Sequence, residues 1–393
     1  LLVASNSSNL RLNKSEHNFN PETYNPAVLH IQFTFAKGKT TSLKKDAFID
    51  LTLIPSIGNV QGRRIEISTK NLSRLLKQFY KQLSRQESLD VADPKSPSRR
   101  LHDLLMGDIT PLLEKNSVST LLIAADRGLQ ALPFAALHNG EQYFGERYAF
   151  ALTPSLALTD TTLSESKNPK LLAFGASNFD QLASLPLVPQ ELEQIGQANR
   201  KDLFLNKDFT PRTLFLKAGQ SQYDRLHIAT HAEFLPGGPK KSQIYSGTKP
   251  ISMMELSKLR KARQGVPLDL VVFSACRTAV GDPDSELGFS GLALQAGARS
   301  AIGTLWYVDD VVTSAYFVQL YRFLEKDIPK AEALQLTRQA FINNLLEVNE
   351  DKIIGVDGEP LLTGLTVAQQ RIVKGGISNP FFWAGIELMG APW

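Results

Sequence analysis

The stretch LDLVVFSACRT, residues 268–278, is an apolar run that ends at Cys276, the single cysteine of this 393-residue chain. A continuous apolar run of this length is typical of a strand buried on both faces of a parallel sheet. Open α/β sheets place their chemistry beyond the carboxyl ends of such strands. The stretch therefore predicts that Cys276 lies at the edge of a sheet, where a substrate can reach it.

Predicted strands and helices alternate over the second half of the chain, from about residue 165. Patterns typical of helices, including 189–198 and 210–219, separate the apolar runs. The predicted strands are KLLAFGAS (170–177), DLFL (202–205), RLHIAT (225–230), LDLVVFSA (268–275) and RSAIGTLW (299–306). Alternating strands and helices of this kind predict an α/β fold with a mostly parallel sheet covered on both faces.

The first half has a different pattern. AVLHIQFTF (27–35) alternates apolar and polar residues, and DAFIDLTLIP (46–55) follows it, which predicts an antiparallel pair. A helical pattern covers 70–85. Because a chain of this length exceeds one ordinary core, we expect two halves, over 26–164 and 165–393. Residues 1–25 are rich in Asn and Ser, so we expect a flexible lead-in there.

A histidine ends a second strand of the predicted sheet. RLHIATHAEF reaches His231, 45 residues before Cys276. If the two strands are neighbours, imidazole and thiol meet in one crevice, as nucleophilic cysteine catalysis requires. The backbone N–H groups of Ala232 and Cys276 are then candidate donors to an oxyanion. His227 lies inside the apolar run, and we expect it to be packed in the core.

Composition excludes several other classes of protein. The formal net charge is only +4, so we expect no nucleic acid partner. No apolar run approaches the roughly 20 residues of a membrane span, so we expect no membrane association. The six scattered histidines and one cysteine predict no metal site and no cofactor, and no phosphate loop or dinucleotide fingerprint is present. A single cysteine favours a cytoplasmic location, with an upstream signal left open because the chain lacks an initiator Met.

Several motifs together resemble the CHAT domain, a caspase-like cysteine peptidase family related to separases. The resemblance covers about residues 26–393. It implies a catalytic half over 165–393 with a caspase-like α/β/α sandwich, preceded by a smaller noncatalytic, pseudo-caspase-like half over 26–164. It also implies a His/Cys dyad of His231 and Cys276. The motifs are LLIAADRGLQALPFAAL (121–137), LHIATHAEF (226–234), VVFSACRTAVGD (271–282), ELGFSGLALQAGARSAIGTLWYVDD (286–310) and NPFFWAGIELMGAPW (379–393).

The stretch GTLWYVDD resembles the separase segment in which an aspartate binds the basic residue before the cleaved bond. Here that position is Asp310, and Asp309 and Asp282 are the other acidic candidates. A structural alternative stays open, because Asp309 or Asp310 could instead cap a helix that starts at Val311.

These features predict an endopeptidase with a regulatory role that cleaves protein substrates after a basic residue. An activating or inhibitory protein partner is expected as well. The alternative is a caspase-like regulatory interaction module with little or no turnover.

Overall fold

Strands of both sequence halves contribute to one large sheet. The computed structural model describes residues 25–35, 45–126, 128–154, 156, 159–160, 168–233, 242–275, 291, 293–294, 296–307 and 309–393. The first half holds β1 (Pro26–Phe35), β2 (Ala47–Pro55), β3 (Gln61–Ile67), β4 (Thr120–Ala125) and β5 (Ala149–Thr153). The second half holds β6 (Leu171–Gly175), β7 (Lys201–Leu205), β8 (Arg225–Ala229), β9 (Ala232–Glu233), β10 (Gln243–Tyr245), β11 (Pro250–Ser252), β12 (Leu268–Ser274), β13 (Ala298–Thr304), β14 (Glu347–Asn349), β15 (Lys352–Ile354), β16 (Pro360–Leu362) and β17 (Ile386–Gly390).

The helices lie between these strands in the chain. They are α1 (Thr69–Ser84), α2 (Pro97–Leu105), α3 (Thr110–Lys115), α4 (Phe144–Arg147), α5 (Val188–Gln194), α6 (Pro211–Ala218), α7 (Lys258–Ala262), α8 (Asp310–Leu324), α9 (Lys330–Ile342) and α10 (Val367–Lys374). None of the helices in the described residues is long and apolar enough to cross a bilayer.

The large sheet has the strand order β3-β2-β1-β4-β5-β17-β13-β12-β8-β6-β7. Three neighbouring pairs are antiparallel, β2 with β3, β1 with β2, and β13 with β17. The remaining pairs are parallel. The prediction of a mostly parallel sheet is confirmed, and so is the antiparallel pair near the amino end of the described chain.

Both faces of the sheet are covered, as the continuous apolar strands predict. In β12, Leu270 and Val272 belong to one buried cluster, whereas Val271 and Phe273 belong to the other. Because successive side chains of a strand point to opposite faces, β12 contributes to both clusters. The architecture is an α/β/α sandwich.

Strand β17 joins the two halves of the sheet, because it pairs with β5 on one side and with β13 on the other. A buried ion pair supports this junction. The Arg338 guanidinium from α9 lies 3.6 Å from the carboxylate of Glu387 on β17, donates to the Ile386 carbonyl at 2.8 Å, and stacks 4.7 Å from the Phe150 ring of β5. The boundaries of the predicted halves remain a prediction, but their strands share one sheet.

We expect Arg338→Met to lower the free energy of unfolding by about 3 kcal/mol at pH 9, where the ionised Glu387 carboxylate is left buried without its cation. Burial raises the pKa of Glu387 to about 8, so the loss should grow at higher pH, where the carboxyl ionises. Urea denaturation at pH 7 and pH 9 measures both effects. Arg64→Gln, which removes the exposed partner of Asp50, should leave the midpoint unchanged. Equal shifts of the urea midpoint in Arg338→Met and Arg64→Gln would contradict a stabilising role of the Arg338–Glu387 pair.

Candidate active site

Hydrogen bonds connect the carboxyl ends of β8 and β13 to the carboxyl end of β12, at one edge of the sheet. Ala229 and Ser274 are register partners in the β8–β12 pair, and the Thr230 N–H donates to the Ser274 carbonyl at 3.2 Å. The Thr304 hydroxyl at the end of β13 donates to the Ala275 carbonyl at 2.8 Å. The chain segments that follow these strands therefore start from a common, fixed position.

His231 follows the end of β8 by two residues and is partly exposed. Its Nε2 lies 2.8 Å from the backbone carbonyl oxygen of Ala183, and its ring lies 4.8 Å from the Phe179 ring. A carbonyl oxygen only accepts, so Nε2 carries a proton and Nδ1 is the acceptor of the neutral ring. The orientation of His231 is thus set by the segment between β6 and α5. The sequence alone did not predict a contact between this segment and His231.

Ala232, the predicted oxyanion donor, begins the short strand β9. The Tyr245 N–H donates to the His231 carbonyl at 3.0 Å, so residues 231 and 245 form a hydrogen-bonded pair. The next pair, Ala232 with Ile244, is then of the non-hydrogen-bonded type, in which the backbone N–H points away from the partner strand. Strand β10 therefore leaves the Ala232 N–H unused. Cys276 and Asp282 lie outside the described residues.

A narrow pocket opens beside these strand ends. Asp310 lies in it, and one carboxylate oxygen accepts from the Leu187 N–H at 3.1 Å. Burial raises the pKa of Asp310 to about 7, with a smaller opposing effect of the Leu187 N–H. The other lining residues are Leu185, Val188, Thr230, Ser274, Ala275, Thr304, Tyr307 and Thr313. The pocket thus joins the segment before α5, the three strand ends and the start of α8.

The two adjacent aspartates have separate roles at the start of α8. The Asp309 carboxylate accepts from the Val311 N–H at 3.0 Å, and Asp309 is the N-cap residue. The helix begins at Asp310, one residue before the predicted start at Val311. The capping alternative is therefore correct for Asp309, whereas the Asp310 carboxylate faces the pocket.

A family model described as the CHAT domain matches residues 95–391. The chain belongs to the CHAT-domain family. Strands β1 to β3 and helix α1 precede the matched region. A search of curated proteins found no match to the sequence.

Solved structures with a similar fold include a separase–securin complex and a gingipain. The Saccharomyces cerevisiae separase–securin complex at 2.6 Å has a TM-score of 0.52 and 9% identity, over 93% of this chain and 30% of the matched chain. A second structure of that complex has a TM-score of 0.46 and 12% identity, over 83% and 22% of the two chains. The Arg-specific cysteine proteinase gingipain R has a TM-score of 0.44 and 10% identity, over 82% and 75%. The CHAT chain therefore spans less than a third of the separase chains that it matches.

A buried polar network lies behind the candidate site of this CHAT domain. One carboxylate oxygen of Glu191 lies 2.9 Å from His227 Nε2, and the other accepts from the Ser314 hydroxyl at 2.7 Å. His227 is fully buried, as predicted, and packs edge-on against the rings of Phe317 and Tyr321. The network ties β8, α5 and α8 together. Sequence reasoning missed Glu191, because no local pattern links it to a histidine 36 residues away.

Metal ligands are not grouped in this part of the molecule. Within the described ranges, no three His, Cys, Asp or Glu side chains lie close enough together to hold an ion.

We expect Asp309→Ala to destabilise the CHAT domain by about 1 kcal/mol, because it removes the side-chain acceptor at the start of α8. Asp309→Asn should change the stability little, since asparagine caps a helix nearly as well. Thermal unfolding of the two variants beside the wild type is the measurement. If Asp309→Asn were as destabilising as Asp309→Ala, the charge rather than the cap would be the important property.

Proposed function

We propose that the chain is a cysteine endopeptidase in which Cys276 is the nucleophile and His231 is the general base and then the acid. One observation carries the proposal. Ala229 and Ser274 are register partners, His231 follows Ala229 by two residues, and Cys276 follows Ser274 by two residues. Both residues therefore lie two positions beyond a register pair on neighbouring parallel strands. This placement favours a short distance between the thiol and the imidazole.

The chemistry follows from the tautomer of His231. Nδ1 accepts the thiol proton, and the sulfur attacks the peptide carbonyl carbon to form a tetrahedral oxyanion. The unused Ala232 N–H supports the assignment of that residue as an oxyanion donor, together with the Cys276 N–H. The imidazolium then protonates the leaving amine as the C–N bond breaks. A water molecule hydrolyses the resulting thioester and regenerates the thiol.

Asp310 supports a preference for a basic residue before the cleaved bond. Its carboxylate is the acidic group among the pocket residues, and guanidinium pairs well with carboxylate in a shielded site. The pocket is narrow, with a volume of about 20 Å³. Tyr307, which is 53% exposed, lines the pocket together with Asp310. Asp282 stays a further acidic candidate, and Asp309 is assigned to the helix cap.

The proposed role is regulatory cleavage of a protein substrate, under the control of a protein partner. The separase neighbours are in complex with securin, which supports a partner of this kind. The alternative, a caspase-like interaction module with little turnover, predicts an unreactive Cys276.

We expect Cys276→Ala and His231→Ala each to abolish proteolysis while leaving the fold intact, and the two effects should not add. Proteome-wide mapping of new N-termini produced by the wild type and by each variant measures the loss and identifies the substrates. Full cleavage by either folded variant would refute the dyad.

Thiol alkylation separates the peptidase from the interaction module. Because the chain has one cysteine, intact mass reports the alkylation of Cys276 alone. Iodoacetamide at pH 7 should modify the wild type at least about tenfold faster than His231→Ala, because the imidazole raises the thiolate fraction. Equal, slow rates would favour the interaction module.

We expect Asp310→Asn to weaken transition-state binding of an Arg substrate by about 2–5 kcal/mol. The measurement is the ratio of kcat/KM for two peptides that carry Arg or Met before the cleaved bond. The titration of the dyad affects both peptides equally and therefore cancels in this ratio. In the wild type this ratio should rise as the pH increases through about 7, because the Asp310 carboxyl then ionises. In Asp310→Asn the ratio should be low at every pH. A wild type that prefers Met would refute this role while leaving the dyad intact.

A further inference from the structure

The outer face of α1 carries a stripe of positive charge. Its four members are all exposed and lie at spacings of four, three and four residues: Lys70, Arg74, Lys77 and Lys81. At 3.6 residues per turn they fall within a sector of about 60° and span about 16 Å along the helix. The opposite face is buried in the core through Leu72, Leu75, Phe79 and Leu83. We call these four cations the α1 stripe.

The charge of the α1 stripe is not balanced within the described chain. Helix α1 contains no acidic residue, and among the described residues none of the four cations forms an ion pair. Neighbouring cations differ, since Lys45 pairs with Glu66 and Arg64 pairs with Asp50. Like charges four residues apart destabilise a helix. An anionic ligand along the stripe would remove that repulsion.

We propose that the α1 stripe binds an acidic, extended segment of a protein partner. A length of about 16 Å matches about five residues of extended chain. A nucleic acid fits less well, because the net charge of the chain is only +4 and the stripe carries no aromatic ring for base stacking.

Helix α1 also contacts the segment that precedes the pocket residue Tyr307, which gives a bound partner a route to the site. The Tyr80 hydroxyl donates to the Leu305 carbonyl at 2.9 Å, and its ring lies edge-on to Trp306 at 5.9 Å. Trp306 is fixed in turn by its Nε1 hydrogen bond to the Phe381 carbonyl at 2.8 Å. Tyr307, the next residue, lines the pocket. We assign Tyr80 as a positioning residue. Only this coupling rests on the proposed function; the docking surface does not.

The docking surface is tested by fluorescence anisotropy with a fluorescein-labelled hexaglutamate peptide and the full chain carrying Cys276→Ala. The stripe variant combines Lys70→Gln, Arg74→Gln, Lys77→Gln and Lys81→Gln. The matched control removes four exposed lysines elsewhere, by Lys249→Gln, Lys261→Gln, Lys352→Gln and Lys374→Gln. We expect the stripe variant to bind the peptide at least tenfold more weakly, the control less than twofold, and all binding to weaken with added salt.

Three outcomes would overturn the docking proposal. They are equal losses in the stripe variant and the control, no measurable binding by the wild type, or tighter binding of oligo-dT than of hexaglutamate through the same four residues.

The coupling is tested by hydrogen exchange of residues 305–313 with and without hexaglutamate. This measurement does not depend on cleavage, so its failure is distinct from failure of the peptidase proposal. We expect the peptide to slow exchange in the wild type and not in Tyr80→Phe, which should still bind the peptide. Equal slowing in both proteins would refute the role of Tyr80 and leave the docking surface standing.

Discussion

The parallel pairing of β8 with β12, with Ala229 opposite Ser274, is the constraint on which the candidate site depends. Alternate residues of both strands belong to two different buried clusters, one on each side of the sheet. A shift of one residue would exchange every side chain between the two clusters, so packing fixes the register strongly. The hydrogen bonds of Thr230 and Thr304 then hold the strand ends together. The site inherits its geometry from the core rather than from its own loops.

Polar groups buried near the sheet differ in how well they are satisfied. The Arg263 guanidinium donates to backbone carbonyls of the surrounding turns through all three of its nitrogens. Glu191 is held by His227 and Ser314. Asp310 is different, since its described contact is one backbone N–H and burial raises its pKa. Because the pKa of Asp310 is raised in the folded protein, ionisation of this carboxyl lowers the stability of the free protein as the pH rises from the ordinary aspartate pKa to about 7. This property supports the proposal that Asp310 binds a basic side chain of the substrate.

The sequence predicted the features that local pattern controls. The strands β6, β7, β8, β12 and β13 and the burial of His227 follow from runs of apolar residues, and helix α1 follows from a helical pattern of apolar residues. It did not assign the two aspartates, because adjacent Asp309 and Asp310 have identical local propensity and only the start of α8 separates them. The sequence also did not predict the contacts of His231 with Ala183 and of Asp310 with Leu187. Both involve backbone atoms, which carry no residue-specific signal.

The position of β17 has a consequence for how the protein is made. This strand lies between β5 and β13, yet every other strand of the sheet precedes it in the chain. During synthesis the sheet must therefore wait for its central strand, and the two sets of strands cannot be joined until residues 386–390 have left the ribosome. The edge of β13 that β17 later covers stays unpaired until then. Nascent chains interrupted before that point would lack the junction that holds both halves in one sheet, so the eleven-stranded sheet would be completed only after these residues have been translated.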